Sequence, residues 1–147
     1  MTTHLNKIRW GTIFLYGVLS EVLILGLAGL VDLLLGISTA AFAAFLNVGA
    51  FSLVLNFLFG YRAARKSGTL QVLHGFLVGM VSFLLLEGMV TLMVVILNVR
   101  QQGGPPPYTY AIVNALKILG GTSGGWGAHL TRQKGSRTLD LPSKEVV

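Results

Sequence analysis

Four long apolar stretches, at about 10–35, 39–61, 70–99 and 108–130, alternate with short polar or basic breaks along almost the whole chain. An α-helix rises about 1.5 Å per residue and needs roughly 20 apolar residues to cross the hydrocarbon of a bilayer. Each stretch has that length, and positions 33–61 contain no charged residue. The pattern therefore predicts an all-α, polytopic membrane protein built as a four-transmembrane-helix bundle. The expected bundle covers residues 1–131, and residues 132–147 are expected to form a flexible, basic cytoplasmic tail that contains Pro142.

Composition narrows this picture without changing it. A chain that is 53% hydrophobic and 11% charged, with mean hydropathy +0.73, is too apolar for an ordinary soluble domain. Its 147 residues leave room for one small bundle and little else. The absence of cysteine excludes disulfides, thiolate metal sites and thiol redox chemistry, and says nothing about compartment. A pI near 10.1 raises the question of nucleic acid. However, nine of the eleven basic residues lie at or beyond span ends on one side, as positive-inside sorting and anionic lipid require, so no nucleic-acid partner is expected.

The basic residues fix an expected topology. They cluster before span one (Lys7, Arg9), between spans two and three (Arg62, Arg65, Lys66) and after span four (Arg132, Lys134, Arg137). The other two connections hold only Arg100, so both termini are expected in the cytoplasm and the chain in a cell membrane, multi-pass, of the bacterial plasma-membrane type. Span one is longer than the roughly 7–15 apolar residues of a signal peptide. Although Ala41-Phe42-Ala43 resembles a cleavage site, the segment is expected to be retained. The short link Gly36-Ile37-Ser38 makes spans one and two an antiparallel hairpin, and Gln101 to Pro107 reads as a longer outer loop. Trp10, Tyr108 and Tyr110 are candidate interfacial anchors. Glu21 and Glu87 are 66 residues apart and Asn47 and Asn114 are 67 apart, a spacing that hints at two duplicated hairpins.

The candidate chemistry is polar groups where lipid makes them costly. Counted along its helix from the cytoplasmic end of its span, Glu87 lies roughly 22 Å in, Lys117 roughly 21 Å and Glu21 roughly 16 Å. Matched depth predicts a cluster of Lys117 with Glu87, extended to Glu21 by the lysine stem, with Asn114 on the Lys117 stripe. Two readings of the cluster stay open. In one, the pair fixes helix register, and Asn47, Asn56 and Asn114 serve as interhelical hydrogen bonds. In the other, a carboxylate changes charge as protons or ions pass, with Glu21 as the acid left over by a single lysine.

Gly120, Gly121, Gly124 and Gly125 in span four, and Gly75 and Gly79 in span three, repeat at the four-residue spacing that lets helix backbones approach closely. They predict a tight contact between spans three and four or a seam between copies. The run is no phosphate loop, since it lacks the Gly-Lys-Ser/Thr ending. Gly121-Thr122-Ser123-Gly124-Gly125 satisfies G-x-S-x-G, and Gly121 to Gly124 resembles the intramembrane nucleophile motif of rhomboid proteases. That family takes its histidine from a later span, which this sequence does not supply. His129 lies six residues from Ser123 on another helix face, and neither it nor His74 has a metal-ligand spacing.

Leu19-Ser20-Glu21-Val22 resembles the first-span glutamate of the small multidrug-resistance exporters, in which that acid binds cationic drugs or protons in a dimer. The likeness covers about ten residues, and the chain departs from that family in its length and in carrying Glu87 and Lys117. The layout is also similar to small bacterial four-span membrane proteins with a basic start, here Lys7-Ile8-Arg9-Trp10-Gly11, and a glycine-rich last helix. The resulting expectation is a non-enzymatic membrane protein without a cofactor or metal, a structural or assembly subunit packing through glycine faces. Its expected partners are the lipid bilayer and a second copy or other membrane subunits. The alternative is a small proton- or ion-coupled transporter or channel using Glu21, Glu87 and Lys117.

Overall fold

A computed structural model describes residues 8–35, 41–95 and 107–139. Among them are four helices and no strand: α1 (Trp10–Leu35), α2 (Ala41–Ser67), α3 (Gln71–Val95) and α4 (Pro107–Leu139). Two of these, α1 over Trp10–Val31 and α3 over Gln71–Leu92, are long and apolar enough to cross a membrane. α2 and α4 are longer still; α2 carries Arg62, Arg65 and Lys66 beyond its uncharged residues 41–61, and in α4 the glycines, Asn114 and Lys117 dilute the apolar character.

Cross-helix contacts give the direction of each helix. Arg9 meets His74, Gly17 meets Val81 and Glu21 meets Ser82, so residue numbers climb together and α1 and α3 run parallel. Gly120 faces Leu53 and Gly124 faces Phe57 and Tyr61, so α2 and α4 also run parallel. Gly125 faces Gln71 and Val72 whereas Lys117 and Ile118 face Gly79, which makes α3 and α4 antiparallel. α4 lies against α2 on one side and α3 on the other, and α1 packs on α2 and α3.

Glycine dictates this closeness. A methyl group added at Gly79 would lie 2.6 Å from the Lys117 carbonyl oxygen, and one at Gly60 would lie 2.6 Å from that of Gly121. Only a residue without Cβ allows backbones so near each other. Gly121 and Gly125 face α3, while Gly120 and Gly124 face α2, so the glycine run presents two tight faces. The sequence led to a contact with span three; the second one, with α2, was not expected.

At the basic end, Ile13, Tyr16, Phe59, Ala63 and Val78 form a buried apolar cluster joining α1, α2 and α3. The α2–α3 turn is tied by the Ser67 hydroxyl, which donates to the carbonyls of Ala64 (2.7 Å) and Thr69 (2.8 Å). Gly68 takes φ 71°, which glycine adopts without steric cost.

Two boundaries move. α4 does not end at Leu130 but runs through Arg132 and Lys134 to Leu139, and α2 runs past Tyr61 to Ser67. Apolar character stops near the expected ends; helix does not, because arginine, lysine and glutamine are good helix formers and no proline intervenes before Pro142. The part of the expected tail from 132 to 139 is thus helical, and residues 140–147 lie outside the described residues. So do the Gly36-Ile37-Ser38 link, residues 101–106 of the outer loop, and the side chains of Asp32 and Asn47.

Candidate functional site: a buried polar layer

Above the apolar cluster, α1, α3 and α4 each contribute one polar side chain to a single point. Lys117 Nζ donates to Glu21 Oε2 at 2.7 Å, and the Ser82 hydroxyl donates to the same oxygen at 2.6 Å. Lys117 is 0% exposed and Glu21 3%. It is the one salt bridge among the described residues. Nearer the other end, the Asn114 amide donates to Glu87 Oε1 at 2.6 Å, with Glu87 half-buried. Glu87 remains close enough for its charge to act on the Lys117 ammonium.

This corrects the pairing expected from depth. Lys117 bonds to Glu21, and Glu87 turns to Asn114. The error lies in the ends from which depth was counted. Gly125, not Thr131, stands level with Val72, because α4 projects past the start of α3. Measured from that shared level, Lys117 is eight residues in, about 12 Å, and Glu87 fifteen, about 23 Å. Roughly two helical turns separate them. Glu21 stands beside Ser82, only about three residues above the level of Gly79 and Lys117, within reach of a lysine stem.

The positions follow from helix faces. Asn114, Lys117, Gly121 and Gly125 share one face of α4, so the glycines that bring α3 close also aim Lys117 and Asn114 into the bundle. Ser82 lies on the same face of α3 as Gly75 and Gly79, at a spacing visible in the sequence but not used. Several buried polar atoms have no hydrogen-bond partner: Glu21 Oε1, Asn114 Oδ1, Asn56 Oδ1 and the hydroxyls of Ser20, Ser52 and Thr109. Buried carboxylate and amide oxygens of this kind suit internal water or a small cation.

His74 has a role that sequence reasoning missed. Fully buried, it accepts the Arg9 backbone N–H on Nε2 (3.2 Å), and its Nδ1 donates to the Leu70 carbonyl (2.9 Å). These partners fix a neutral tautomer and make a side chain of α3 the cap for the start of α1. No local signal marks it, since its partner lies 65 residues away. His129 contacts Gln71 and Gln133, and the Ser123 hydroxyl donates to the Gly120 carbonyl. The histidines and Ser123 thus have other partners, and among the described residues no His, Cys, Asp and Glu cluster could hold a metal ion.

No protein-family model, no curated protein and no solved structure matches this chain.

Proposed function

We propose that the protein is a four-span integral membrane protein with both ends cytoplasmic, serving as a non-enzymatic structural or assembly subunit. The observation that carries this reading is the inversion of polarity. Lys117, Glu21, Ser82, Ser52 and Asn56 are buried, while Leu33, Leu34, Val22, Leu84 and Leu119 stand between 58% and 80% exposed. Water would reverse that distribution; hydrocarbon rewards it, since lipid solvates the apolar exterior and polar groups find partners inside. Connectivity supports four crossings rather than two. If α1 and α3 cross in the same direction, α2, which joins the end of one to the start of the other, must cross back, and α4 packs along both α2 and α3.

The test is site-directed labelling of the naturally cysteine-free chain in oriented vesicles. Ser67→Cys and Lys134→Cys are expected to react only from the cytoplasmic side, and Gly103→Cys only from the opposite side. Reaction of all three from one side, or recovery of the full chain as a water-soluble monomer without detergent, overturns the reading.

A second reading, a small proton- or ion-coupled carrier, is favoured by one observation. Glu87 has a carboxamide for a partner rather than a cation, with the unpartnered Asn114 Oδ1 beside it. The acid left over by the single lysine is thus Glu87, and Glu21 is engaged. A carrier loses pH-dependent flux in proteoliposomes on Glu87→Gln; a structural subunit has no flux to lose.

A further inference from the structure

Polar side chains from all four helices come to one level of the bundle. The Tyr16 and Phe59 rings meet at 5.7 Å between centres, and α1, parallel to α3, runs antiparallel to α2. Ser20, one turn on from Tyr16, therefore comes level with Asn56, three residues back from Phe59. Asn56 in turn faces α4, where a methyl on Gly120 would lie 3.2 Å from its Cβ. Lys117 and Ser52 stand one turn before Gly120 and Asn56, so they too share a level. With Glu21 and Ser82 bonded at Lys117, the layer occupies about 6 Å of the bundle axis. All six side chains are buried.

Hydrogen bonding inside this layer does not close. An ammonium carries three N–H donors, and among the described residues Lys117 uses one, to Glu21 Oε2. Glu21 Oε1, Asn56 Oδ1 and the hydroxyls of Ser20 and Ser52 have no hydrogen-bond partner. A buried ion pair is tolerated only where its remaining lone pairs and protons are satisfied. The unmatched set holds donors and acceptors together, and within the layer the Glu21 charge answers that of Lys117. Glu87, more than a turn further along α3, bonds to Asn114 instead.

We propose that the layer binds a small cluster of internal water, which bridges the remaining N–H groups of Lys117 to Glu21 Oε1, Asn56 Oδ1 and the Ser20 and Ser52 hydroxyls. Water donates and accepts, up to twice each, so about two molecules match the whole set. A metal cation offers no acceptor to the lysine and serine protons, and an anion offers no donor to the carboxylate and amide oxygens. The layer is buried whichever solvent surrounds the bundle, so the inference stands apart from the membrane reading.

The test is water-edited solid-state NMR on the full chain in bilayers, which reads magnetisation passing from water to each residue. Lys117 and Ser52 are expected to gain signal nearly as fast as exposed Arg62. They should gain it severalfold faster than Ile13 and Ala63, which are as deeply buried but apolar. The double variant Asn56→Leu, Ser52→Ala removes two of the oxygens and is expected to slow the gain at Lys117 severalfold. Ser123→Ala, at an exposed position outside the layer, is expected to leave it unchanged. The unaltered chain decides first: a Lys117 as slow as Ile13 overturns the proposal, as does a Lys117 rate untouched by the double variant. A thermal midpoint raised by sodium chloride over choline chloride at equal ionic strength also overturns it, since the oxygens then hold a cation. A chain that proves soluble in water refutes the membrane reading and leaves this measurement in force.

Discussion

Replacing Lys117 with Met removes the buried cation of the Glu21–Lys117 pair and leaves Glu21, among the described residues, with Ser82 as its single donor. Breaking a buried pair by deleting one partner costs about 3–5 kcal/mol in water-soluble proteins, because the other charge is stranded. Polar contacts in membrane bundles average only about 0.6 kcal/mol, since the unfolded chain also finds partners in the micelle. A charge-assisted bond falls between these limits, and about 2–3 kcal/mol is the expected loss. Glu21→Gln in the same chain should recover most of it, because the carboxamide oxygen still accepts from Ser82 and no charge remains to be matched. Glu87→Gln should not, because Glu87 bonds to Asn114 instead. The assay is unfolding in mixed micelles by SDS titration, arranged as two double-mutant cycles. The expected coupling is about 2 kcal/mol for Glu21 with Lys117 and under about 0.5 kcal/mol for Glu87 with Lys117. The reverse order, or two couplings near zero, refutes the assignment of the pair.

Glycine positions should separate sharply by what surrounds them. Gly121→Ala and Gly124→Ala force a methyl into the backbones of α3 and α2 and are expected to cost about 1–3 kcal/mol or more. Gly26→Ala and Gly88→Ala meet no atom within 4 Å and should be neutral or stabilising by up to about 1 kcal/mol. Thermal midpoints in detergent decide between these outcomes, and equal effects at all four sites contradict the packing. His74→Leu removes the acceptor for the Arg9 N–H, with an expected cost of about 1 kcal/mol. Hydrogen exchange should quicken at Arg9 first, and an unchanged rate there means that His74 is no cap.

The helices were legible because the apolar runs are long and their polar breaks abrupt: α1 occupies the span expected of it, Trp10–Leu35. Helix ends were less so, since the chain leaves the apolar region near Leu130 while remaining helical to Leu139. That difference carried directly into the site. Depth counted from the end of an apolar run assumes that all spans stop at one plane, and the overhang of α4 shifted Lys117 by about 9 Å relative to Glu87. The identities Glu21, Glu87, Lys117 and Asn114 were visible as polar residues in apolar runs, whereas their pairing depends on interhelical register, which periodicity does not encode. Ser82 was recoverable, standing three residues beyond Gly79 on one helix face. His74 was not, because its partner is a backbone group of another helix.

Register is also where the glycines and the ion pair differ in what they specify. Gly75 and Gly79 meet Gly121 and Gly125, and a contact built on a four-residue repeat tolerates a slide of one turn at modest cost. Such a slide moves α4 by about 6 Å, which separates Lys117 from Glu21 and strands both. The tight faces thus bring α4 close while the Glu21–Lys117 bond selects one of the registers they allow, much as a single buried polar residue selects register in a coiled coil. The two contributions separate in a disulfide-trapping experiment on the double variant Glu21→Gln, Lys117→Met. Cysteines replacing Leu73 and Thr122, and Leu73 and His129, all lining one groove between α3 and α4, sample different turns of α4 against α3. With the ion pair intact, cross-linking should be confined to one of the two combinations; without it, both should form at comparable rates while the chain stays helical. Confinement that survives in the double variant assigns register to the glycine faces alone and removes the ordering role from Lys117.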